Sequence, residues 1–308
     1  MPTKPLEALL YPELAIAEAR ELIELASPLL REVVNYSTNA FVRCASEKHG
    51  EKNEDLAVLY LYRHIIELTD AIEVLVSGAC GDPAVPLLRS SFEGLLSLEY
   101  VAEDRGSYVE RSLCWLAFYA RGRIGGYEAL VPTTRIGRQF AEDLRADKMV
   151  ARLSLPPPEV AQAPIANLKH LLARDQFASV RKELEHHPKT EHWYSLFGGP
   201  GDLRRLAKHL KRPAQYDFLY KGWSAKVHGE DFSRFIDARG AGRSGIRRLR
   251  DPGMLSEVAF YAATFLLDAT RLMLARFRPG EDLAPWYQRE VREAYFKLAP
   301  SAQHDDRV

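Results

Sequence analysis

Residues 82–105 read DPAVPLLRSSFEGLLSLEYVAEDR. Apolar side chains recur here every three or four positions, which is the spacing of one helix face. Asp82 followed by Pro83 supplies a start signal, an N-cap acceptor and a proline that lacks the N–H a first turn would leave unused. The spacing predicts a helix over 82–103. Inside this apolar text two charges stand four apart, Arg89 and Glu93, and so fall on one side of that helix.

The same period holds along nearly the whole chain, and no alternating strand pattern appears. Upstream, Pro12 opens a helix over 12–26. Ser27 and Pro28 read as the N-cap and first turn of a second that runs to 48, and Asn53 caps a third over 54–77. Downstream, Ser107 and Glu110 form a capping-box pattern for a helix reaching 130. A helix over 134–150 leads to Pro156-Pro157-Pro158, read as a loop. Shorter helices follow over 166–173 and 176–187, and Asp202 caps another to 211. Pro213 opens a helix that ends at His228-Gly229. A Gly/Arg-rich loop over 239–252 precedes an apolar helix over 255–277 and a last one over 285–298. The fold class is therefore all-α, a multi-helix bundle built on a central antiparallel helical hairpin over 54–103. Residues 1–53 are expected to pack on the bundle, 54–232 to form its core, and 233–308 to complete the same domain.

At 308 residues, with 46% hydrophobic and 27% charged, the chain can bury a sizeable core and is not composed like a disordered one. Lysine plus arginine equals aspartate plus glutamate at 42 each. No global field draws the molecule to nucleic acid or to an anionic membrane, so any such contact needs a local patch. Cys44, Cys80 and Cys114 are odd in number and form no CxxC pair, which speaks for free thiols in a reducing, cytoplasmic setting rather than a disulfide or zinc framework. The first twenty residues carry acids within their apolar stretch and no small-residue cleavage site, unlike a signal peptide. The most apolar later run, 258–267, is about half the length a bilayer requires and is followed by Asp268 and Arg271. No membrane partner is expected.

Polar residues line up in three places. Tyr60, His64 and Glu67 share one side of the third helix, and Arg89 and Glu93 one side of the fourth. In QYDFLYKGWSAKVHG, residues 215–229, Tyr216, Tyr220, Ser224 and His228 recur every fourth position, so they form one slanting stripe flanked by Phe218, Leu219, Trp223 and Val227. Two readings stand. Arg89, Glu93, Arg111 and the stripe meet in a polar cleft, where a guanidinium binds an anion and an imidazole exchanges a proton near neutral pH. Alternatively Arg89 pairs with Glu93 in a network that satisfies itself. Arg239, Arg243, Arg247, Arg248 and Arg250 lie close together among glycines, a solvated loop or a strip that tracks phosphates, without the aromatics that would stack bases. GxGxxG, GxxxxGK[ST], HExxH and GxSxG are all absent. The one helical pair of His64 and Glu67 runs in the reverse order to a di-iron motif, and His186, His187 and His192 read as a surface cluster. No metal and no cofactor is expected.

PLLRSSFEGLLSLEYVAEDR, followed by ERSLCWLAFYARGR, resembles a group of bacterial helical proteins catalogued as a domain of unknown function. Arg89, Glu93 and Arg111 match its first signature; Tyr216, Tyr220, Ser224 and His228 match its second. Some such proteins look like distant relatives of the HEPN helical bundles, many of which are metal-independent ribonucleases of stress and phage-defence systems. The resemblance implies RNA or a phosphorylated small molecule as partner and a site paired across a homodimer. In that picture His228 is the acid/base, Arg89 and Arg111 clamp phosphate, and Glu93, Tyr216, Tyr220, Ser224 and Lys221 contact the ligand. The HEPN pattern is Arg-x(4–6)-His. This sequence offers it at Arg43…His49, Arg181…His186 or His187, and Arg204…His209, whereas Lys221 stands where His228 would need its arginine. A non-catalytic binding module for a small anion or a partner protein is the alternative.

Overall fold

The computed structural model describes residues 11–46, 53–150, 156–227, 236–240, 243–246 and 249–300. These residues are helical nearly throughout, so the fold is all-α. The principal helices are α1 (Pro12–Glu18), α2 (Arg20–Ser46), α3 (Asn53–Ser77), α4 (Gly81–Ala102), α5 (Tyr108–Glu128), α6 (Arg135–Ala146), α7 (Glu159–Ala173), α8 (Ala178–His186) and α9 (Leu203–His209). After these come α10 (Pro213–Gln215), a π-turn over Tyr216–Tyr220, α11 (Lys221–Val227), α12 (Leu255–Phe277), α13 (Ala284–Trp286), a second π-turn over Tyr287–Val291, and α14 (Arg292–Leu298). The Gly/Arg-rich loop expected over 239–252 is in part a short antiparallel hairpin. Its strands are β1 (Ile236–Gly240) and β2 (Arg243–Ile246), with Ile236 opposite Ile246 and Asp237 opposite Gly245.

The chain divides into two compact units. One comprises Met1–Lys52, Val58–Glu103 and Ala207–Val308, the other Asn53–Ala57 and Asp104–Leu206. In the first, α12 packs along both α2 and α4. Its inward side chains, among them Val258, Phe265, Leu266, Ala269 and Met273, are buried, as are Leu30 and Val33 of α2 and Leu88, Phe92 and Leu95 of α4. Each such leucine or phenylalanine contributes roughly 1.5–3 kcal/mol of transfer free energy. By length and composition Pro252–Phe277 passes as a membrane span, longer than the 258–267 run suggests, yet more than half of its apolar 18-residue window is buried in the protein. Asp268 and Arg271, which in the sequence interrupt that run, face other charges instead.

Two close approaches set the helix contacts. A Cβ on Gly81 would stand 2.9 Å from the Leu255 backbone nitrogen, so glycine allows α4 and α12 to begin against each other. A Cβ on Gly94 would meet Ile65 Cγ1 at 3.2 Å, which places α3 close against α4. The turn between α3 and α4 closes with Cys80 N–H to Leu75 O at 2.8 Å and Ala79 N–H to Val76 O at 3.0 Å. This is a Schellman end in which Ala79 takes the left-handed conformation (φ 55°) usually given to glycine.

Buried hydroxyls tie α2, α3 and α12 together. Ser37 Oγ and Thr270 Oγ1 lie 2.8 Å apart, and Tyr62 OH donates to Ser37 O at 3.0 Å and meets Thr270 Oγ1 at 2.9 Å. Nearer the other end of α2, Ser27 is not an N-cap. The helix runs straight through Pro28 from Arg20, although an interior proline costs it a hydrogen bond. Ser27 spends its hydroxyl instead on Glu73 of α3, at 2.5 Å. Ser77 Oγ and Arg31 Nε also reach Glu73, at 2.7 and 2.8 Å. Ser107 likewise makes no side-chain cap; Asp104 Oδ2 accepts from both its N–H and its hydroxyl. Asp202 does cap as the sequence predicts, and Thr134, expected as the first residue of its helix, is instead its N-cap.

In the second unit α5 packs on α7, α8 and the 3-10 turn Trp193–Gly198. Its core gathers Ala57, Leu113, Leu116, Phe177, Val180 and Leu196. The buried Tyr108 hydroxyl donates to Asp55 Oδ1 at 2.6 Å and pins the start of α3 to the start of α5.

Burial pushes the Glu73 carboxyl up, but hydrogen bonds from Ser27 and Ser77 and the charge and hydrogen bond of Arg31 more than offset it, and its pKa ends below the ordinary value. A carboxylate lowered in the folded state contributes stability above its unfolded pKa, and that contribution is lost as pH falls through the folded value. Glu73→Ala is therefore expected to lower unfolding free energy by about 2 kcal/mol at neutral pH. The gap to the parent should narrow in urea titrations repeated at pH 3; a gap that stays constant across that range contradicts the assignment.

Candidate functional site

Arg89 and Glu93 lie one turn apart on α4, and the segment running from α10 through the first π-turn to α11 lies against them. Arg89 Nη2 donates to Tyr220 OH at 2.5 Å, and Tyr220 OH donates to Glu93 Oε1 at 2.6 Å. The guanidinium carbon sits 4.2 Å from the centre of the Tyr220 ring, a cation–π contact. Arg89 Nη1 reaches Ser224 Oγ at 3.4 Å, a weak bond. Arg89 Nε stands 3.5 Å from Glu93 Oε1, and this buried nitrogen has no hydrogen-bond partner. The Arg89 side chain is 20% exposed and that of Glu93 45%, so the acid forms the outer edge of the cluster.

The segment passes through a wider turn over Tyr216–Tyr220, whose two tyrosine rings stack with centroids 5.0 Å apart; such turns recur at functional sites. Behind Tyr220, Phe92, Phe265, Trp223 and Tyr261 form an aromatic wall. Burial first, then the hydrogen bond to Glu93, push the Tyr220 phenol up to about 12, against the opposing pull of Arg89.

Arg212 holds the segment in place. Lys211, at φ 60°, ends α9 in the left-handed conformation, with Arg212 N–H bonded to Ala207 O at 2.7 Å. The Arg212 guanidinium bridges Glu99 of α4 (2.5 and 2.7 Å) and Asp268 of α12 (2.9 Å), and donates to Gln215 at 2.8 Å, directly before the π-turn. All three charged side chains are more than four-fifths buried. Burial raises the Glu99 pKa while Arg212 draws it back. No motif marks Arg212, Glu99 and Asp268 in the sequence, because they come from three distant segments; the only trace is a pair of charges inside the apolar text of α12.

The structure thus brings together Arg89, Glu93, Tyr216, Tyr220 and Ser224. Lys221 is exposed on α11. Arg111 stands on α5 in the second unit, where its N–H bonds Ser107 O at 2.9 Å and its charge helps hold the Asp104 carboxyl below its ordinary range, behind the hydrogen bonds from Ser107 and Gly106. His228 and His49 lie outside the described residues. Of the other arginine–histidine spacings, Arg181 is occupied by the carbonyls of Leu172 and Arg174, and His186 Nδ1 by Lys182 O at 2.8 Å. His209 Nε2 lies 2.7 Å from Glu103. Tyr60 and His64 stack at 6.2 Å. Among the described residues no group of three or more His, Cys, Asp or Glu side chains is placed to hold a metal ion.

Residues 55–243 match the model of a family described as a family of unknown function (DUF5677). No curated protein and no solved structure matches the chain.

Removing the Tyr220 phenol should delete a late titration step. A phenol raised in the folded state stays protonated past its ordinary value near 10, so stability from its neutral form is complete below that value and lost as pH rises towards 12. The phenolate absorbance difference between the parent and Tyr220→Phe is expected to titrate near 12, and to move lower in Glu93→Gln. A difference titrating at the ordinary value would show that the hydroxyl is not enclosed by Glu93 and the aromatic wall.

Proposed function

This chain belongs to the DUF5677 family, and we propose that its Arg89 cluster binds the phosphate of a small phosphorylated ligand without cleaving it. The supporting observation is the state of one guanidinium. Arg89 is fixed from below by the Tyr220 ring and from the side by the Tyr220 hydroxyl, yet its Nε is left unbonded and its contacts to Ser224 and Glu93 are long. A planar fork held in one orientation and under-used is suited to a two-point contact with an oxyanion. Glu93 occupies the outer edge at 3.5 Å and half exposed, so an arriving phosphate takes its place and exchanges one anion for a better-fitting one. Tyr216, stacked on Tyr220, and Ser224 border the same place.

Binding is preferred to catalysis because the described members of the cluster are an arginine, a carboxylate, two phenols and a serine, with no imidazole among them. Tyr220 titrates near 12, and a general acid or base works best close to the operating pH. The ribonuclease reading keeps one specific support: His228 follows Ser224 by four residues in the segment that carries Tyr220.

The test is a thermal-shift series with inorganic phosphate, adenosine monophosphate and unphosphorylated adenosine. The two phosphate-bearing probes are expected to raise Tm and adenosine is not. Arg89→Lys, which keeps charge and loses the fork, should weaken the effect about tenfold. The proposal is overturned if no probe raises Tm, or if the lysine variant responds as the parent does. Incubation with a single-stranded RNA separates the two readings: intact RNA supports binding alone, whereas cleavage by the parent and not by His228→Ala transfers the case to the ribonuclease.

A further inference from the structure

The second π-turn borders the other feature of the first unit that is built like a site. A pocket of about 220 Å³ opens between the later half of α12 and the segments that follow it. Leu267 and Leu283 supply apolar wall, Tyr287 and Tyr295 supply ring surface, and Asp268 and Arg271 supply charge. A neighbouring hollow of about 390 Å³ shares Arg271, Leu283 and Tyr287, so the three residues line both spaces. The pocket lies beyond residue 243, outside the span matched by the family model, and owes nothing to the Arg89 cluster.

Its hydrogen-bonding capacity follows from counting protons. Thr264 Oγ1 donates its one proton to Phe260 O at 2.7 Å. The 2.8 Å contact between Thr264 and Tyr295 is then a donation from the Tyr295 hydroxyl, whose own lone pairs remain as acceptors. The Tyr287 hydroxyl has no hydrogen-bond partner among the described residues, although burial raises its pKa. The rings of Tyr287 and Tyr295 meet edge to face at 6.1 Å. Charge is unevenly spent. Asp268 has one oxygen on Arg212 and the other on Arg271, so its negative charge is matched on both sides. Arg271 is 70% exposed and gives one N–H to Asp268, so most of its fork is left for another acceptor.

We propose that this pocket is a second ligand site, which takes a single-ring aromatic carboxylate. The ring lies against Tyr287, between Leu267 and Leu283. The carboxylate meets Arg271 at the mouth, and a ring hydroxyl serves the lone pairs of Tyr295 or the proton of Tyr287. The size agrees: a cavity of about 150 Å³ holds benzene, and this one has room for a polar substituent. A cation is disfavoured because the pocket's one carboxylate is already paired twice, and a purely apolar ligand would leave Arg271 and Tyr287 unused.

The experiment uses the full chain with 4-hydroxybenzoate as probe, followed by saturation-transfer NMR and calorimetry, with phenol and acetate as controls. Saturable binding is expected, with phenol and acetate each weaker by about tenfold or more. Arg271→Gln, at an exposed position that leaves the core intact, should weaken the probe about tenfold, and Leu267→Phe should block it by filling the pocket while Tm is retained. Arg89→Lys should leave this binding unchanged, which keeps the outcome separate from that of the phosphate site. Absence of saturable binding at millimolar probe, or parent-like affinity in both pocket variants, overturns the proposal.

Discussion

Burial of one long apolar helix, α12, between α2 and α4 is the constraint on which the rest of the first unit depends. Helical backbone satisfies its own donors and acceptors, so helices meet through side chains alone, and a polar side chain at such a meeting must bring its partner with it. Several buried polar groups follow that rule in threes and fours, with Ser91 Oγ of α4 an exception. Ser37, Tyr62 and Thr270 answer one another across three helices, Glu73 collects Ser27, Ser77 and Arg31, and Arg212 joins Glu99 to Asp268. Apolar burial supplies the driving force; the polar groups restrict which helix faces can meet.

The Arg89 cluster is a variation on the same theme with one member at the surface. Tyr220 both receives from Arg89 and gives to Glu93, so the two opposite charges act on each other through a neutral hydroxyl as well as directly. Glu93, with 45% of its side chain exposed, is the member nearest water.

Much of the fold was legible because helices announce themselves locally. The apolar spacing of 82–103, the turn after Ser77 and the proline opening at Pro213 all correspond to observed elements, and Arg89 with Glu93 was visible as a four-residue interval. What was hidden depends on tertiary partners. Ser27 before Pro28 looks like an N-cap until Glu73 supplies a better use for its hydroxyl. Ser107 looks like a cap until Asp104 proves to be the acceptor. The pairing of Ile236 with Ile246 was lost among glycines and arginines whose composition reads as loop. Arg212 had no local signature at all, because an ion triad drawn from α4, α12 and the residue after α9 has no spacing to read.

The first π-turn has a further bearing on how kindred chains should be read. A turn closed by i to i+5 bonds holds one residue more than the α-helix around it. Deleting that residue would return the segment to a regular helix and swing everything downstream by about 100°. Arg212 and Gln215 lie before that turn and Ser224 after it, so a homologue with an uninterrupted helix would hold the two sets at a different relative rotation. An alignment that treats the two forms as equivalent would then pair side chains pointing in different directions.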